Sequence, residues 1–152
     1  MKKCIVVVLM LVGTCLLAAC SYDSEKAMEN GDVINMNGPV YNFERFEQFL
    51  GSVDAEDSAA VQISNFTLEG NPTLYKLAFD GTGFDLEIDS SKNKKRGDTP
   101  AKVKMSCTDL VTEEGQQLFT YTLEGCEQGD SSDTFNLLNV LKEEEHEHGH
   151  GF

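Results

Sequence analysis

The sequence predicts an α+β domain in which one N-terminal amphipathic helix packs on an antiparallel meander sheet of five or six strands. Two observations support this prediction. Apolar residues first recur at helical spacing, and from Val61 onward they alternate with polar residues. Turn-forming residues separate the alternating segments, as is typical of strands joined by hairpins. Because each strand has one apolar face, we expect the helix to cover that face.

Composition limits the classes of protein to which the chain can belong. Residues 32–141 are enough for a single α+β domain with its own core. The formal charge of −14 makes contact with nucleic-acid phosphates unfavourable, so we expect no nucleic-acid partner. With 40% hydrophobic residues, the chain is not a disordered acidic segment either.

The first 19 residues have the organisation of a signal peptide. A basic start is followed by an apolar run that is shorter than the ~20 residues needed to span a bilayer. The residues Leu17-Ala18-Ala19-Cys20 resemble the bacterial lipobox, in which the cysteine thiol receives a diacylglyceryl group. We therefore expect lipidation at Cys20, with acyl chains such as palmitate holding the protein on the extracytoplasmic face of the bacterial cell membrane.

Residues 20–31 are predicted to form a flexible stalk that carries the lipid. This segment is polar and contains almost no aliphatic residues. Because anionic headgroups repel a negatively charged body, we expect the domain to stand off the membrane surface.

The cysteines predict one disulfide. Cys4 and Cys15 leave with the signal peptide and Cys20 carries the lipid, so Cys107 and Cys126 remain. An even pair in an extracytoplasmic protein favours a disulfide between adjacent strands near one sheet edge, which would stabilise the fold by about 3 kcal/mol. A redox or metal pair is the alternative, but no Cys-x-x-Cys spacing supports it.

The predicted helix starts after Asn42, a typical N-cap residue, and ends between Gly51 and Asp54. Its apolar face consists of Phe43, Phe46, Phe49, Leu50 and Val53. Alternating segments follow at 61–68, 75–79, 84–88, 103–107 and 119–123. The alternation slips once, which predicts a bulge near Ser64-Asn65. Residues 135–141 fit both a strand and a helix, and we favour a strand.

Several motifs together resemble a family of small bacterial lipoproteins catalogued as a domain of unknown function, family 4362. The motifs are Glu29–Asn35 (ENGDVIN), Gly38, the Tyr41-Asn42-Phe43 helix start, Leu68–Pro72 (LEGNP), the Cys107 region and Thr122–Cys126 (TLEGC). The resemblance extends from Glu29 to Phe135. It implies a single α+β domain, a lipid anchor and a paired cysteine, and it implies no activity.

All three histidines lie in the acidic tail, residues 142–152. His146, His148 and His150 alternate with other residues and follow a run of glutamates, and imidazole is a good ligand for Zn²⁺, Cu²⁺ or Ni²⁺. The alternative is a solvated acidic tail, because ordering so polar a segment would consume much of the binding energy.

Two further patterns offer oxygen ligands for Ca²⁺. Asp85, Glu87 and Asp89 line one face of a predicted strand, but charged residues are equally typical of a solvated strand face. Val33–Gly38 followed by Glu44 has part of a calcium-loop pattern, although its first position is occupied by an apolar residue.

A basic loop spans residues 90–100, and lysines follow it. Phosphate-rich wall polymer and lipid headgroups are candidate partners, and the loop could equally dock on the protein's own acidic surface. A solvated loop is the simplest interpretation. The residues are Lys92, Lys94, Lys95, Arg96, Lys102 and Lys104.

The sequence contains no recognised set of catalytic residues. No histidine lies within residues 32–141, and the chain has no tryptophan to serve as a sugar platform. We therefore expect a non-enzymatic module that binds a protein or ligand partner and has no cofactor. The alternative is a lipoprotein that sequesters divalent cations with its Glu/His tail.

Overall fold

The computed structural model describes residues 22–127 and 133–142. Over this part of the chain the fold is α+β, as predicted. The helices are α1 (Ser24–Asn30) and α2 (Phe43–Asp54). The strands are β1 (Val33–Asn35), β2 (Val40–Tyr41), β3 (Ala59–Phe66), β4 (Pro72–Phe79), β5 (Phe84–Asp89), β6 (Lys102–Cys107), β7 (Asp109–Glu114), β8 (Leu118–Glu124) and β9 (Thr134–Leu141). The prediction of a single N-terminal helix is not confirmed, because α1 precedes the helix that the sequence indicated.

The described strands form two sheets, where the sequence predicted one meander. One sheet has the strand order β2-β1-β3-β4-β5-β6, and the other has the order β7-β8-β9. Strands β1 and β3 pair in parallel. A parallel pair requires a crossover connection, and α2 provides it. The remaining neighbours are antiparallel, so the meander runs from β3 to β6.

Aromatic side chains of α2 join the two sheets. The Phe46 ring lies 4.9 Å from the Tyr121 ring on β8, in an edge-to-face arrangement. The Phe49 ring lies 6.5 Å from the Phe84 ring on β5. Phe43, Phe46 and Phe49 are buried, so the apolar stripe of α2 belongs to a core that both sheets share.

The disulfide between Cys107 and Cys126 is present, but its place in the fold differs from the prediction. Cys107 ends β6 and Cys126 follows β8, so the bond links the two sheets. Gly125, next to Cys126, has a left-handed backbone with φ of 59°. A Cβ at this position would collide with the Thr108 side chain, so the bend between the sheets requires glycine here.

The predicted bulge at Ser64-Asn65 is wrong. Strand β3 pairs without interruption with β4 from Ala59 to Phe66. Ile63 packs in the shared core, whereas Phe66 packs with Ala27 and Ile34 in a second small core under α1. The alternation slips because burial changes from the inner face of the sheet to the outer face.

A register shift does occur elsewhere, between β8 and β9. Tyr121 pairs with Leu138 and Thr122 pairs with Asn136, so Leu137 is an extra residue in β9. Leu137 and Leu138 are therefore adjacent and both buried. This bulge explains why residues 135–141 fit two patterns, and the strand that we favoured is confirmed.

The flexible stalk predicted for residues 20–31 is wrong over its described part. The Asp23 side chain caps α1 by accepting a 3.0 Å hydrogen bond from the Lys26 backbone N–H, and Gly31 ends the helix with φ of 74°. Ala27 is fully buried. A seven-residue helix is unstable in isolation, so α1 depends on its packing against the outer face of the sheet.

Candidate functional site

An open groove of about 570 Å³ lies between α1 and the sheet edge formed by β1 and β2. The lining residues are Ser24, Glu25, Met28, Glu29, Ile34, Met36 and Tyr41. We call this surface the Met–Tyr groove. Its volume lies within the range of about 300–1,000 Å³ that is typical of ligand pockets.

The groove gathers apolar side chains that are exposed to solvent. Met28 is 46% exposed, Met36 is 37% exposed and Tyr41 is 47% exposed. Among the described residues, the other large apolar side chains with comparable exposure are Leu68 and Leu141, and neither lines the groove. Clustered apolar exposure is a common feature of interaction surfaces, whereas singly exposed apolar residues are normal.

The fold gives the groove a fixed floor. Ile34 is buried and lies directly opposite Tyr41 in the antiparallel β1–β2 pair. Ile34 also packs with Ala27 and Phe66 in the small core under α1. The wall residues Met28 and Met36 are long and unbranched, so the groove combines a rigid base with adaptable sides.

A polar cluster centred on the buried side chains of Asp32 and Ser64 holds the base of α1 to the sheet. Its residues are Tyr22, Asp32, Gln62 and Ser64, and we call it the Asp32 cluster. Oδ2 of Asp32 accepts a hydrogen bond from Ser64 Oγ at 2.5 Å, one from Gln62 Nε2 at 2.9 Å and one from the Tyr22 hydroxyl. These donors replace the water that the buried carboxylate loses.

Tyr22 is therefore part of the folded body. Burial raises the pKa of its hydroxyl, and the hydrogen bond that it donates to Asp32 raises the pKa further. Its hydroxyl also accepts a 3.2 Å hydrogen bond from Gln62 Nε2. Only one residue separates Tyr22 from Cys20, so the lipidation site predicted from the sequence is within about 7 Å of ordered backbone.

Asn42 precedes α2 as predicted, but its side chain does not cap the helix. Its Nδ2 donates a 2.9 Å hydrogen bond to the backbone carbonyl of Asp32. The residue has a left-handed backbone, with φ of 55°. Asn42 therefore fixes the start of α2 to the chain segment that carries the Asp32 cluster.

Two of the three predicted carboxylates on β5, Glu87 and Asp89, are neutralised by lysines on the neighbouring strands, whereas Asp85 accepts a 2.7 Å hydrogen bond from Ser106 Oγ. Glu87 lies 3.1 Å from Lys76 and 3.3 Å from Lys104, and Asp89 lies 3.1 Å from Lys102. Burial opposes ionisation of Asp89, but hydrogen bonds from Ser91 and Lys102 outweigh it and lower the pKa. In the described part of the chain, no group of three metal-ligating side chains is placed to hold an ion.

The calcium-loop pattern at Val33–Gly38 is used for a different structure. Val33 and Ile34 are buried, and β1 pairs with β2 on one side and β3 on the other. This backbone is committed to a sheet, so a ligating loop does not form there. Glu44 lies in the first turn of α2.

The basic loop contacts residues of its own chain. Lys95 forms a 2.7 Å ion pair with Glu69, and Arg96 donates a 2.7 Å hydrogen bond to the Thr99 carbonyl. Lys102 and Lys104 lie on β6 and contact Glu87 across the strands. Half of the six basic residues singled out in the sequence therefore have acidic partners: Lys95, Lys102 and Lys104.

The predicted lipidation site and the predicted metal ligands lie outside the described residues. These are Cys20 and the tail residues His146, His148 and His150. No helix in the described ranges is both long and apolar enough to cross a bilayer.

A family model described as Domain of unknown function (DUF4362) matches residues 30–122. This match covers more than half of the chain. The chain belongs to this family. The DUF4362 match is narrower than the resemblance from Glu29 to Phe135, because it ends within β8. No curated protein and no solved structure matches the chain.

The DUF4362 segment contains only part of the Met–Tyr groove. Ile34, Met36 and Tyr41 lie within it, whereas Glu25 and Met28 on α1 precede it. The groove therefore combines the sheet edge of the family domain with a helix that lies almost entirely outside the matched segment.

Sequence reasoning missed the groove because it missed α1. The signal for this helix was present: Asp23 is a good N-cap residue and Gly31 is a good C-terminal residue. The short, polar stretch between them lacks an apolar stripe of helical period. Met36 and Tyr41 lie between the predicted stalk and the start of α2, where the pattern gave no reason to pair them with Met28.

Proposed function

We propose that the protein is a lipid-anchored extracytoplasmic lipoprotein with a non-enzymatic binding module, and that the Met–Tyr groove is its binding surface. The observation that supports this most directly is the clustering of Met28, Met36 and Tyr41 along one groove. A soluble domain seldom leaves such side chains together in water unless a partner covers them.

The lipobox-like residues Leu17-Ala18-Ala19-Cys20 support the anchor. After signal cleavage, Cys20 would be the first residue and Tyr22 would already be fixed in the Asp32 cluster. On this proposal the tether is short, because the segment that the sequence predicted as a flexible stalk is folded from Tyr22 onward. The distance between the Met–Tyr groove and the bilayer is then limited by this tether, while the negative charge of the domain still opposes contact with anionic headgroups.

Substituting cysteines in the leader tests the anchor. Cys20→Ala in the full chain should abolish labelling by an alkyne analogue of palmitate and should release the protein or block its processing. Cys15→Ala is the matched control, because it removes a leader thiol that the proposal does not use. Unchanged labelling and membrane retention of Cys20→Ala would contradict the anchor.

Paired apolar substitutions test the binding surface. The double variant Met28→Ser/Tyr41→Ser should lower the fluorescence of an environment-sensitive apolar dye bound to the protein. Leu68→Ser is the matched control, because Leu68 is 88% exposed and does not line the groove. Equal dye binding by both variants would show that the groove is not the apolar binding surface.

Cation sequestration by His146, His148 and His150 remains the alternative proposal. It is supported by the tail sequence alone, in which imidazoles and glutamates are interleaved. The two proposals use different ends of the chain, so removing the tail separates them.

A further inference from the structure

We propose that the Met–Tyr groove receives a basic amphipathic segment of a partner protein, with Lys or Arg side chains placed against Glu25 and Glu29. This inference depends on the proposed function, because it names the partner class of the same groove. A requirement for such a segment would give the binding module selectivity among the many proteins at a cell surface.

The charges of the groove point to a cationic partner. Glu25 and Glu29 are exposed, and among the residues that the structure describes they are the charged ones that line the groove. They stand four positions apart on α1, which places them on one helix face with a rise of about 6 Å between them. Two basic side chains one helical turn apart on a partner have the same spacing.

The apolar part of the groove selects for amphipathic character. Met28 lies between Glu25 and Glu29 in the sequence of α1, and Met36 and Tyr41 lie on the sheet side. A partner helix with an apolar stripe beside its basic residues can satisfy the apolar surface and the carboxylates together. Laying such a helix into an apolar groove is a recurrent mode of recognition, and methionine adapts well to it.

A second copy of this chain fits the groove poorly. A groove-to-groove contact would set Glu25 and Glu29 of one copy against the same residues of the other, and each chain carries a formal charge of −14. Anionic lipid headgroups would meet the same repulsion.

The chain's own basic loop is also a poor occupant. Residues 90–100 connect β5 to β6, whereas the groove borders β1 and β2 at the opposite edge of the six-stranded sheet. With neighbouring strands about 4.8 Å apart, these strands are separated by roughly 15 Å or more. Both ends of the loop are also held by strands, β5 before it and β6 after it, so the loop cannot extend to the groove.

The test uses the chain from Ser21 to Phe152, which keeps every described element and both apolar cores. The probe is a dye-labelled amphipathic peptide of leucine and lysine, about 14 residues long so that it can form a helix. Two comparison peptides replace lysine with glutamate or scramble the order of the same residues. Fluorescence anisotropy at about 0.1 M and about 1 M salt gives the affinities.

Two groove variants and two matched controls accompany the probe. Glu25→Gln/Glu29→Gln should weaken binding of the lysine peptide by about three- to tenfold at low salt, as expected for two exposed ion pairs. Its control is Glu113→Gln/Glu124→Gln, which removes the same charge from exposed positions in the three-stranded sheet. Met28→Ser/Tyr41→Ser should weaken binding by at least about tenfold, whereas Leu68→Ser should not. Circular dichroism establishes that each variant is folded.

The outcomes distinguish failure of the proposed partner class from failure of the Met–Tyr groove as a binding surface. Tight binding of the lysine peptide alone, weakened by both groove variants and by neither control, supports a basic amphipathic partner. Equal binding of the lysine and glutamate peptides that depends on Met28 and Tyr41 overturns the partner class and leaves the binding surface in place. Binding that no groove variant alters, or that Glu113→Gln/Glu124→Gln weakens equally, overturns the inference. Self-association that is lost in Met28→Ser/Tyr41→Ser assigns the groove to a second copy and overturns it too.

Discussion

Ser64 Oγ donates a 2.5 Å hydrogen bond to Oδ2 of Asp32, and both side chains are buried beneath α1. The same oxygen accepts hydrogen bonds from Gln62 and Tyr22. One carboxylate therefore ties together the chain segments before α1, before β1 and within β3. This connection holds α1 in the position that forms one wall of the Met–Tyr groove.

We expect the hydrogen bonds of the Asp32 cluster to stabilise the folded domain. Asp32→Ala should lower the free energy of unfolding by about 1–3 kcal/mol, because it leaves the buried Ser64 hydroxyl and neighbouring donors without their acceptor. Urea denaturation followed by circular dichroism measures the change. Asp57→Ala is the control, since Asp57 is exposed and should change stability by no more than about 0.5 kcal/mol. Equal losses in the two variants would contradict the role of the cluster.

The disulfide should stabilise the contact between the two sheets. Replacing Cys107 and Cys126 together by alanine should lower the free energy of unfolding by about 3 kcal/mol, because the bond closes a loop with a sequence separation of 19 residues. Denaturant titration of the variant, with and without a reducing agent, measures this loss. Reduction should destabilise the parent chain and leave the variant unaffected. A parent chain whose midpoint does not move on reduction would exclude a stabilising bond.

Asp89 predicts a specific dependence of stability on pH. Its pKa is lowered in the folded protein, so the folded state favours the carboxylate and its contribution is complete above the ordinary aspartate pKa of about 4. As the pH falls below about 4, this contribution is lost. Asp89→Asn should therefore cost about 1–3 kcal/mol at neutral pH and progressively less in acid. Denaturant titrations from about pH 7 to about pH 2 measure the difference.

The control for Asp89 is Asp98→Asn in the exposed basic loop. This variant should differ little from the parent chain at any pH. A constant difference between Asp89→Asn and the parent across the range would show that the lost stability does not come from ionisation.

Tail removal should leave the Met–Tyr groove intact. Lys142 lies 2.8 Å from Glu114 and 5.4 Å from the centre of the Phe119 ring, so the truncation should follow Lys142. We expect the truncated chain to bind the lysine peptide as the parent chain does. Calorimetric titration of both chains with Zn²⁺, Cu²⁺ and Ni²⁺ should show no saturable binding that depends on residues 143–152.

The full-length chain with His146, His148 and His150 replaced by glutamine is the matched control for the truncation. It removes the imidazoles while it keeps the acidic residues. Saturable heat that disappears in both altered chains would make cation sequestration the leading function.

Local sequence patterns predicted a helix or strand correctly where one face of that element is buried. Strand β5 alternates cleanly because Phe84 and Leu86 face the shared core while Asp85 and Glu87 face outward. The apolar stripe of α2 is readable for the same reason. By contrast, β7 has no buried residue among its six, so its sequence contains no clear period.

The sequence by itself determined the α+β class, the family, the cysteine pair and the favoured strand at residues 135–141, because these depend on local periodicity or on motifs. Tertiary structure decided the division into two sheets, the parallel β1–β3 pair and the formation of α1. Helix α1 is too short to be stable alone and folds because Ala27 is buried beneath it and Asp32 is hydrogen-bonded to Ser64 of β3. The Met–Tyr groove exists only when that distant contact brings Met28 beside Tyr41, so no local pattern could have predicted it.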